Sequence, residues 1–139
     1  MNVDLLAAEL TDGLEPPVSD VCMGLIHRFA TIPATEQRRM SFTWLASLVD
    51  REWDDAIFQS AISAMTSVRN HPLILYFVMH DAVEDRELSI ELGYVKESIQ
   101  HHIFIHPTTG EEIPDFERLL VPVFRTSPAF QRRLHSADA

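Results

Sequence analysis

The chain has 139 residues, of which 46% are hydrophobic and 23% charged, and its 21 acidic and 11 basic side chains give a formal net charge of −10 at pH 7. This length predicts one domain over residues 1–139, and no apolar run approaches the roughly 20 residues that a membrane-spanning helix needs. The charge disfavours non-specific binding to nucleic acid or anionic lipid, and a single cysteine excludes an internal disulfide framework. The first residues lack the basic and apolar stretches of a signal peptide, so we expect a cytoplasmic protein with no membrane partner.

Apolar residues at helical spacing predict four helices in the first half of the chain. The first is a short helix within residues 1–17 that Gly13 and then Pro16-Pro17 bring to an end, and the others are expected over 21–31, 42–49 and 52–67. Leu6 and Leu10 lie on the apolar face of the first helix, Ser19 or Asp20 is expected to cap the second, and Ser41 to cap the third. The predicted buried face of the fourth helix consists of Trp53, Ile57, Phe58, Ala61, Ile62 and Met65.

The period of the apolar pattern then changes from that of a helix to that of a strand. Residues 73–80 and 87–92 are β-rich segments joined by a polar connector, which predicts a β-hairpin. A short helix over 93–101 is expected to point Val95 and Ile99 inward. Because the first strand is apolar on both faces, we expect the C-terminal segment to cover the second face, through Phe116, Leu119, Leu120, Val123 and Phe124.

This order of elements resembles a winged helix-turn-helix module. The matching segments are residues 20–31, 41–49 and 52–67 for the helices and 73–92 for the hairpin, or wing. The resemblance is one of topology and carries no named family. It implies an α+β fold with a winged-helix-like core over about 18–92, an N-terminal helix and a C-terminal apolar extension over about 93–134.

The charges of this predicted core bear on DNA binding. A recognition helix needs basic or amide side chains facing outward, whereas the outward face here offers Glu52, Asp55, Gln59, Ser63 and Thr66. The wing tip carries Asp81, Glu84 and Asp85 against a single Arg86. These positions favour a protein-interaction module over a DNA-binding regulator. Arg38 and Arg39, which precede the third helix, are the nucleic-acid-binding candidates of that alternative.

A histidine cluster is the most suggestive candidate for chemistry. His101, His102 and His106 lie close together in sequence, and His80 is a further possible metal ligand. On an extended strand His102 and His106 would share a face but lie about 13 Å apart, whereas two imidazoles on one metal ion must come within about 4 Å of each other. We therefore interpret the cluster as surface or partly buried histidines and keep a metal-dependent enzyme as the third hypothesis.

No other pattern supports catalysis. The chain has no Gly-x-Ser-x-Gly motif and no glycine-rich phosphate loop. The neighbouring acids Asp54 and Asp55, and likewise Glu111 and Glu112, are typical of solvated charge, and Cys22 is expected to be a buried small hydrophobe. We expect neither enzymatic activity nor a cofactor.

The sequence thus favours a non-catalytic accessory or adaptor protein that binds another protein, a second copy of itself, or both. The reason is the excess of apolar residues at both ends of the chain. The interaction candidates are Leu6, Leu10, Phe116, Leu120 and Phe124. The alternative is a winged-helix transcriptional regulator that binds DNA.

Overall fold

A computed structural model describes residues 2–67 and 71–138. The α-helices in this part are α1 Val3–Leu10, α2 Val18–Phe29, α3 Phe42–Leu48, α4 Ala56–Ser67, α5 Leu92–His101, α6 Phe116–Leu119 and α7 Pro128–Asp138. The strands are β1 Leu73–Asp81, β2 Arg86–Glu91 and β3 Val121–Thr126, and a short 3-10 helix covers Ala34–Gln37. The predicted α+β class is confirmed, while the winged-helix resemblance stays a prediction. Within these residues no helix combines the length and the apolarity that crossing a bilayer requires.

The chain divides into two compact units. Unit 1 comprises Met1–Ile74 and Phe124–Ala139, and unit 2 comprises Leu75–Val123. Unit 2 is therefore an insertion in the sequence of unit 1. The division leaves the prediction of a single domain untested.

Unit 1 is a helical unit in which α2 packs against α1, α3 and α4, and α1 also contacts α7. Phe29 of α2 and Phe130 of α7 meet edge to face, with ring centroids 6.0 Å apart. Met40 and Phe124 form a short backbone bridge, in which each N–H donates to the other residue's carbonyl at 2.8 Å. The largest fully buried side chains of this unit include Leu6, Leu25, Ile26, Phe29, Leu45, Phe58, Phe124 and Phe130.

A buried glutamine satisfies the backbone where the chain leaves α2. Gln37 is 1% exposed, and its Nε2 donates to the carbonyl oxygens of Phe29 and Ile32, both at 2.8 Å. Its Oε1 accepts from Nε2 of Gln131 at 2.7 Å. A buried amide is stable only when its donors and acceptor are matched, and here both ends of the side chain are used.

The helix starts agree with the sequence prediction in one case and differ in two. Ser41 caps α3, since its Oγ accepts from the N–H of Trp44 at 3.1 Å. Neither Ser19 nor Asp20 caps α2, which begins at Val18 and has no side-chain cap. Helix α4 begins at Ala56 rather than at residue 52.

Asp55 explains the later start of α4. Its Oδ1 accepts from the N–H of Phe58 at 2.9 Å, and its carboxylate also pairs with Arg51. This bond satisfies an N–H that the first helical turn leaves without a partner, and it lowers the pKa of Asp55, with Arg51 as a further cause. Trp53 consequently precedes the helix and is 52% exposed, so its predicted place on the buried face is wrong.

Unit 2 contains the predicted hairpin and its cover. The sheet order is β2-β1-β3, and β1 pairs antiparallel with β2 from Tyr76 opposite Glu91 to Asp81 opposite Arg86. Val95 of α5 points inward as predicted, whereas Ile99 is 49% exposed and that prediction is wrong. The main cluster comprises Met79, Leu88, Ile90, Val95, Phe104 and Phe116, with Phe77, Ile113 and Leu120 packed against it.

The C-terminal segment does not form one cover over the hairpin. Phe116 and Leu120 pack in the main cluster, while Val123 clusters with Tyr76 and Val78. Leu119 is 48% exposed. The segment Val121–Thr126 forms β3 beside β1, a strand that the sequence analysis does not predict.

Candidate functional site

Most of the predicted interaction residues are parts of the core. Leu6 is 0% exposed, Phe116 4% and Phe124 1%, so these side chains cannot reach a partner in the folded chain. Leu10 and Leu120 are half-buried. The excess apolar residues at the two ends of the chain therefore stabilise the fold itself, and a binding surface must be sought among the exposed apolar residues.

Those exposed residues are concentrated in unit 2. Among the residues that the structure describes, nine large apolar side chains are exposed, and seven of them belong to unit 2. The seven are Val83, Tyr94, Ile99, Ile103, Ile105, Leu119 and Val121. Unit 1 contributes Leu5 and Trp53. Scattered single residues of this kind are ordinary on a protein surface, but a local concentration marks an interaction site.

Three of the seven line one groove, which we call the α5 groove. It is formed by α5 and the segment that follows it, and it encloses about 280 Å³. Its lining residues are Tyr94, Glu97, Ser98, His101, Ile103 and Ile105. The Tyr94 hydroxyl donates to the carbonyl of Ile105 at 2.5 Å, and the Tyr94 ring packs edge to face on Phe104, with centroids 5.4 Å apart. The groove is thus held by internal contacts, with its two isoleucines left open to solvent.

Unit 2 is also strongly acidic. Its residues include ten Asp and Glu against three Lys and Arg, which gives a formal charge of −7. Unit 1 has eleven acidic and eight basic residues, a formal charge of −3. Most of the negative charge of the chain therefore lies in the same unit as most of its exposed apolar side chains.

The histidine cluster does not have the strand geometry considered above. His101 is the last residue of α5, and His102 is its C-cap, with a left-handed backbone at φ 57°. His80 pairs with Asp85 at 3.3 Å on the exposed side of the hairpin. Within residues 2–67 and 71–138, no group of three or more His, Cys, Asp or Glu side chains is placed to hold a metal ion.

His106 is buried and faces a buried aspartate. Its side chain is 8% exposed and that of Asp81 is 3%, and His106 Nε2 lies 3.4 Å from Asp81 Oδ2. This distance exceeds the usual 2.7–3.2 Å of an N–H···O bond. In the described part of the chain, these two atoms are the buried side-chain polar atoms without a hydrogen-bond partner. Each such atom costs about 1–3 kcal/mol when it stays unpaired.

The other polar atoms of this pair are fixed by backbone amides. His106 Nδ1 accepts from the N–H groups of Thr108 and Thr109, both at 3.1 Å, and Asp81 Oδ1 accepts from the N–H of Val83 at 3.0 Å. Because Nδ1 accepts, the ring carries its proton at Nε2. The turn after His106 is closed by Gly110, whose N–H donates to the His106 carbonyl at 3.0 Å and whose φ of 74° suits glycine.

Asp81 and His106 both line a cleft of about 230 Å³. Its other lining residues are Met79, His80, Ala82, Val83, Thr109, Glu111, Ile113 and Leu119. Apart from the pair, the walls are therefore mainly apolar. The sequence contained a signal for this burial, since His106 follows the buried Phe104 at the two-residue spacing of an extended segment.

The residues considered for nucleic-acid binding and catalysis lie elsewhere. Arg38 and Arg39 line a shallow pocket of unit 1 together with Glu36 and Trp44, and both arginines already take part in interactions within the chain. Cys22 is buried, as predicted, and burial raises the pKa of its thiol to about 11, which leaves it unreactive at neutral pH.

No protein-family model, curated protein sequence or solved structure matches this chain.

Proposed function

We propose that this chain is a non-catalytic accessory protein whose unit 2 binds a basic protein partner. The observation that carries the proposal is the concentration of exposed apolar side chains in unit 2, seven of the nine in the described chain. Desolvating large apolar side chains is the main favourable term in protein association. The α5 groove supplies a recess for one apolar side chain of the partner, with Ile103 and Ile105 as its contacts.

The charge of unit 2 identifies the kind of partner. A surface charge of one sign attracts a partner of the other sign and speeds the encounter. Unit 2 has a formal charge of −7, and Glu97 lies in the groove itself. It is therefore suited to bind a partner in which Lys or Arg residues flank an apolar side chain. A second copy of the chain would bring the same negative charge to the contact, so we rank self-association below a basic partner.

The charge of the described surface gives DNA binding less support. The predicted wing tip is the turn between β1 and β2, where Glu84 and Asp85 are exposed and Glu84 pairs with Arg86 at 2.8 Å. The exposed residues of α4 include Gln59 and Ser63 but no Lys or Arg. Arg38 and Arg39 remain the candidates for this alternative.

The test begins with capture from the native host, using the tagged wild-type chain and two matched variants. Ile103→Ser and Ile105→Ser together alter the α5 groove, and Leu5→Ser alters an exposed apolar residue of unit 1. A protein captured by the wild type and by Leu5→Ser, but lost with the groove variant, is then purified and titrated by calorimetry. We expect a basic protein whose affinity falls at least about tenfold with the groove variant and also falls as salt is raised.

Two results would overturn the proposal. One is that every captured protein binds the groove variant as well as the wild type. The other is that sedimentation shows a wild-type dimer that Ile103→Ser and Ile105→Ser convert to a monomer, since the groove would then serve self-association. Circular dichroism of each variant establishes that the fold is retained, which is expected because both isoleucines are exposed.

A further inference from the structure

The two edge strands of the sheet differ in how they are protected against pairing with another chain. In the order β2-β1-β3, the edges are β2 and β3. On β3, Pro122 has no N–H to donate, and Phe124 exchanges two backbone hydrogen bonds with Met40. On β2 the sequence of Arg86–Glu91 contains no proline, glycine or lysine, and no other strand or bridge of the described chain pairs with its outer side. The edge of β2 therefore lacks the devices that usually prevent strand addition.

The backbone of β2 determines the conformation of an added chain. An antiparallel strand turns the N–H and C=O groups of every second residue away from its neighbour. Because β2 pairs with β1 from Arg86 opposite Asp81 to Glu91 opposite Tyr76, the other backbone groups along its length point toward the free edge. A row of such groups pairs with an extended chain, which adds one more strand to the sheet.

The side chains of β2 determine which extended chain fits. Leu88 and Ile90 are buried in the main cluster of unit 2, whereas Glu87, Ser89 and Glu91 are exposed. In an added strand, the residues opposite these positions lie close enough for cross-strand pairs, in which opposite charges stabilise and like charges destabilise. The exposed face therefore favours Lys or Arg at alternate positions, and the buried face favours apolar residues between them.

We propose that the basic partner of unit 2 adds one of its own strands to the free edge of β2. Lys or Arg residues of that strand face Glu87 and Glu91, and its apolar residues extend the main cluster. This inference rests on the partner proposed above and specifies a second contact with it, since no residue of β2 lines the α5 groove.

The same charges disfavour a second copy of this chain at the edge. Two copies of β2 would bring glutamates of one strand against glutamates of the other, and the exposed Glu84 and Asp85 of the neighbouring turn add charge of the same sign. The edge is thus protected against its own kind by charge, while its backbone stays open to a basic strand.

The experiment uses the purified wild-type chain and the peptide acetyl-Lys-Val-Lys-Ile-Lys-Val-Lys-amide. Amide hydrogen exchange is followed by NMR during the titration. We expect saturable binding with a Kd on the order of 1 mM, as is ordinary for a short flexible peptide, and slower exchange at every second amide of Arg86–Glu91. Side-chain contacts alone would not produce that alternation.

Two control peptides separate the backbone from the charge. One carries N-methyl groups in place of all its backbone N–H groups and keeps its side chains, and the other has Glu in place of Lys. We expect both to bind at least about tenfold more weakly than the first peptide, because one lacks donors for the strand ladder and the other repels Glu87 and Glu91.

A matched pair of variants locates the contact. Glu87→Lys on β2 and Glu117→Lys on α6 change the net charge equally at exposed positions of unit 2. We expect Glu87→Lys to weaken binding of the peptide at least about threefold and Glu117→Lys to leave it nearly unchanged. Circular dichroism establishes that both variants keep the fold.

The proposal is wrong if the exchange of the β2 amides is unaffected by the peptide, or if the N-methylated or Glu-containing peptide binds equally well. It is also wrong if a captured partner needs Ile103 and Ile105 but binds Glu87→Lys as well as it binds the wild type, a result that would leave the proposed function standing. The reverse result, in which a captured basic partner is lost with Glu87→Lys and kept by the groove variant, would support strand addition and contradict the role of the α5 groove.

Discussion

Units 1 and 2 differ in how they use polar groups and apolar surface. In unit 1 the buried Gln37 has partners at both ends of its amide, and two of the nine exposed large apolar residues of the described chain belong to it. In unit 2 the buried side chains of Asp81 and His106 face each other at 3.4 Å, beyond the usual hydrogen-bond length, and the other seven exposed large apolar residues belong to this unit. Unsatisfied polar atoms and like charges cost stability in the free chain, and exposed apolar side chains gain free energy only when a partner covers them. Their shared location leads us to expect that unit 2 gains more from ligands than unit 1.

The largest expected effect concerns the small core of unit 2. Phe104 is 0% exposed and contacts the rings of Tyr94 and Phe116, each with centroids 5.4 Å away. We expect Phe104→Ala to lower the free energy of unfolding by about 3–5 kcal/mol, because the unit has few other large buried side chains to close the cavity. Urea unfolding measures the loss. The neighbouring Ile105→Ala is the control, with an expected loss of about 1 kcal/mol or less, and equal losses would contradict the assigned core.

The next effect concerns the matched amide of unit 1. Gln37→Leu keeps the apolar part of the side chain but leaves the carbonyls of Phe29 and Ile32 and the amide of Gln131 without this partner. We expect the free energy of unfolding, measured with urea, to fall by about 2–4 kcal/mol. Glu36→Gln at the exposed neighbouring position is the control and should leave it almost unchanged. An unchanged free energy of unfolding for Gln37→Leu would contradict the claim that the polar groups of unit 1 are better matched than those of unit 2.

A smaller effect is expected at the start of α4. Asp55→Ala removes the cap on Phe58 and the pairing with Arg51, so we expect the Tm to fall by a few degrees, whereas Asp54→Ala should leave it unchanged. Because the cap lowers the pKa of Asp55 below its ordinary 3.8, its stabilisation is present above that pH and is lost as the pH falls through the lowered value. The difference in Tm between wild type and Asp55→Ala should therefore be present at neutral pH and disappear at strongly acidic pH.

The smallest effect concerns a histidine whose surroundings are opposite to those of His106. His27 has acceptors at both ring nitrogens: Asp4 Oδ1 at 2.6 Å from Nε2 and the Met23 carbonyl at 2.8 Å from Nδ1. The bond to Asp4, followed by that to Met23, raises the pKa of His27 above its ordinary 6.5. We expect Asp4→Asn to lower that pKa in an NMR titration.

The sign of the accompanying pH dependence follows from the raised value. A group whose pKa is higher in the folded state stabilises the protein below its unfolded pKa, and this contribution is lost as the pH rises through the folded pKa. The difference in Tm between wild type and Asp4→Asn should therefore be present below pH 6.5 and vanish in alkaline solution. A difference that grows with pH would contradict the assignment.

Periodicity in the sequence predicts the main elements because local patterning dominates in them. The hairpin, α3 with its Ser41 cap and the helix at 93–101 are found close to their predicted bounds. Trp53 is misplaced because it fits the apolar period of α4, while a single hydrogen bond from Phe58 to Asp55 sets the start of the helix. A competition between periodicity and capping chemistry within one turn cannot be decided from spacing alone.

The groove and the cleft are harder to predict because they depend on contacts distant in sequence. Pro122 in the C-terminal segment disfavours a strand, yet β3 forms there at an edge of the sheet, where proline is tolerated. The sequence groups His106 with the neighbouring histidines, whereas the side chain that it faces, Asp81, lies on β1. Only the fold of unit 2 brings the two together, and Ile103 and Ile105 become recognisable as surface residues only once Phe104 is known to point inward.

The insertion of unit 2 within the sequence of unit 1 has a consequence for the order of events during translation. Unit 2 is fully synthesised once the ribosome has passed Val123. Unit 1 must still wait for Phe124, which pairs with Met40, and for Phe130, which packs on Phe29. Because units emerging from the ribosome fold as their sequences become complete, the nascent helices α1 to α4 remain without their last core residues while unit 2 emerges. The helices of unit 1 are thus synthesised before unit 2 but complete their core after it. Their apolar faces are the surfaces that a chaperone would bind during that interval.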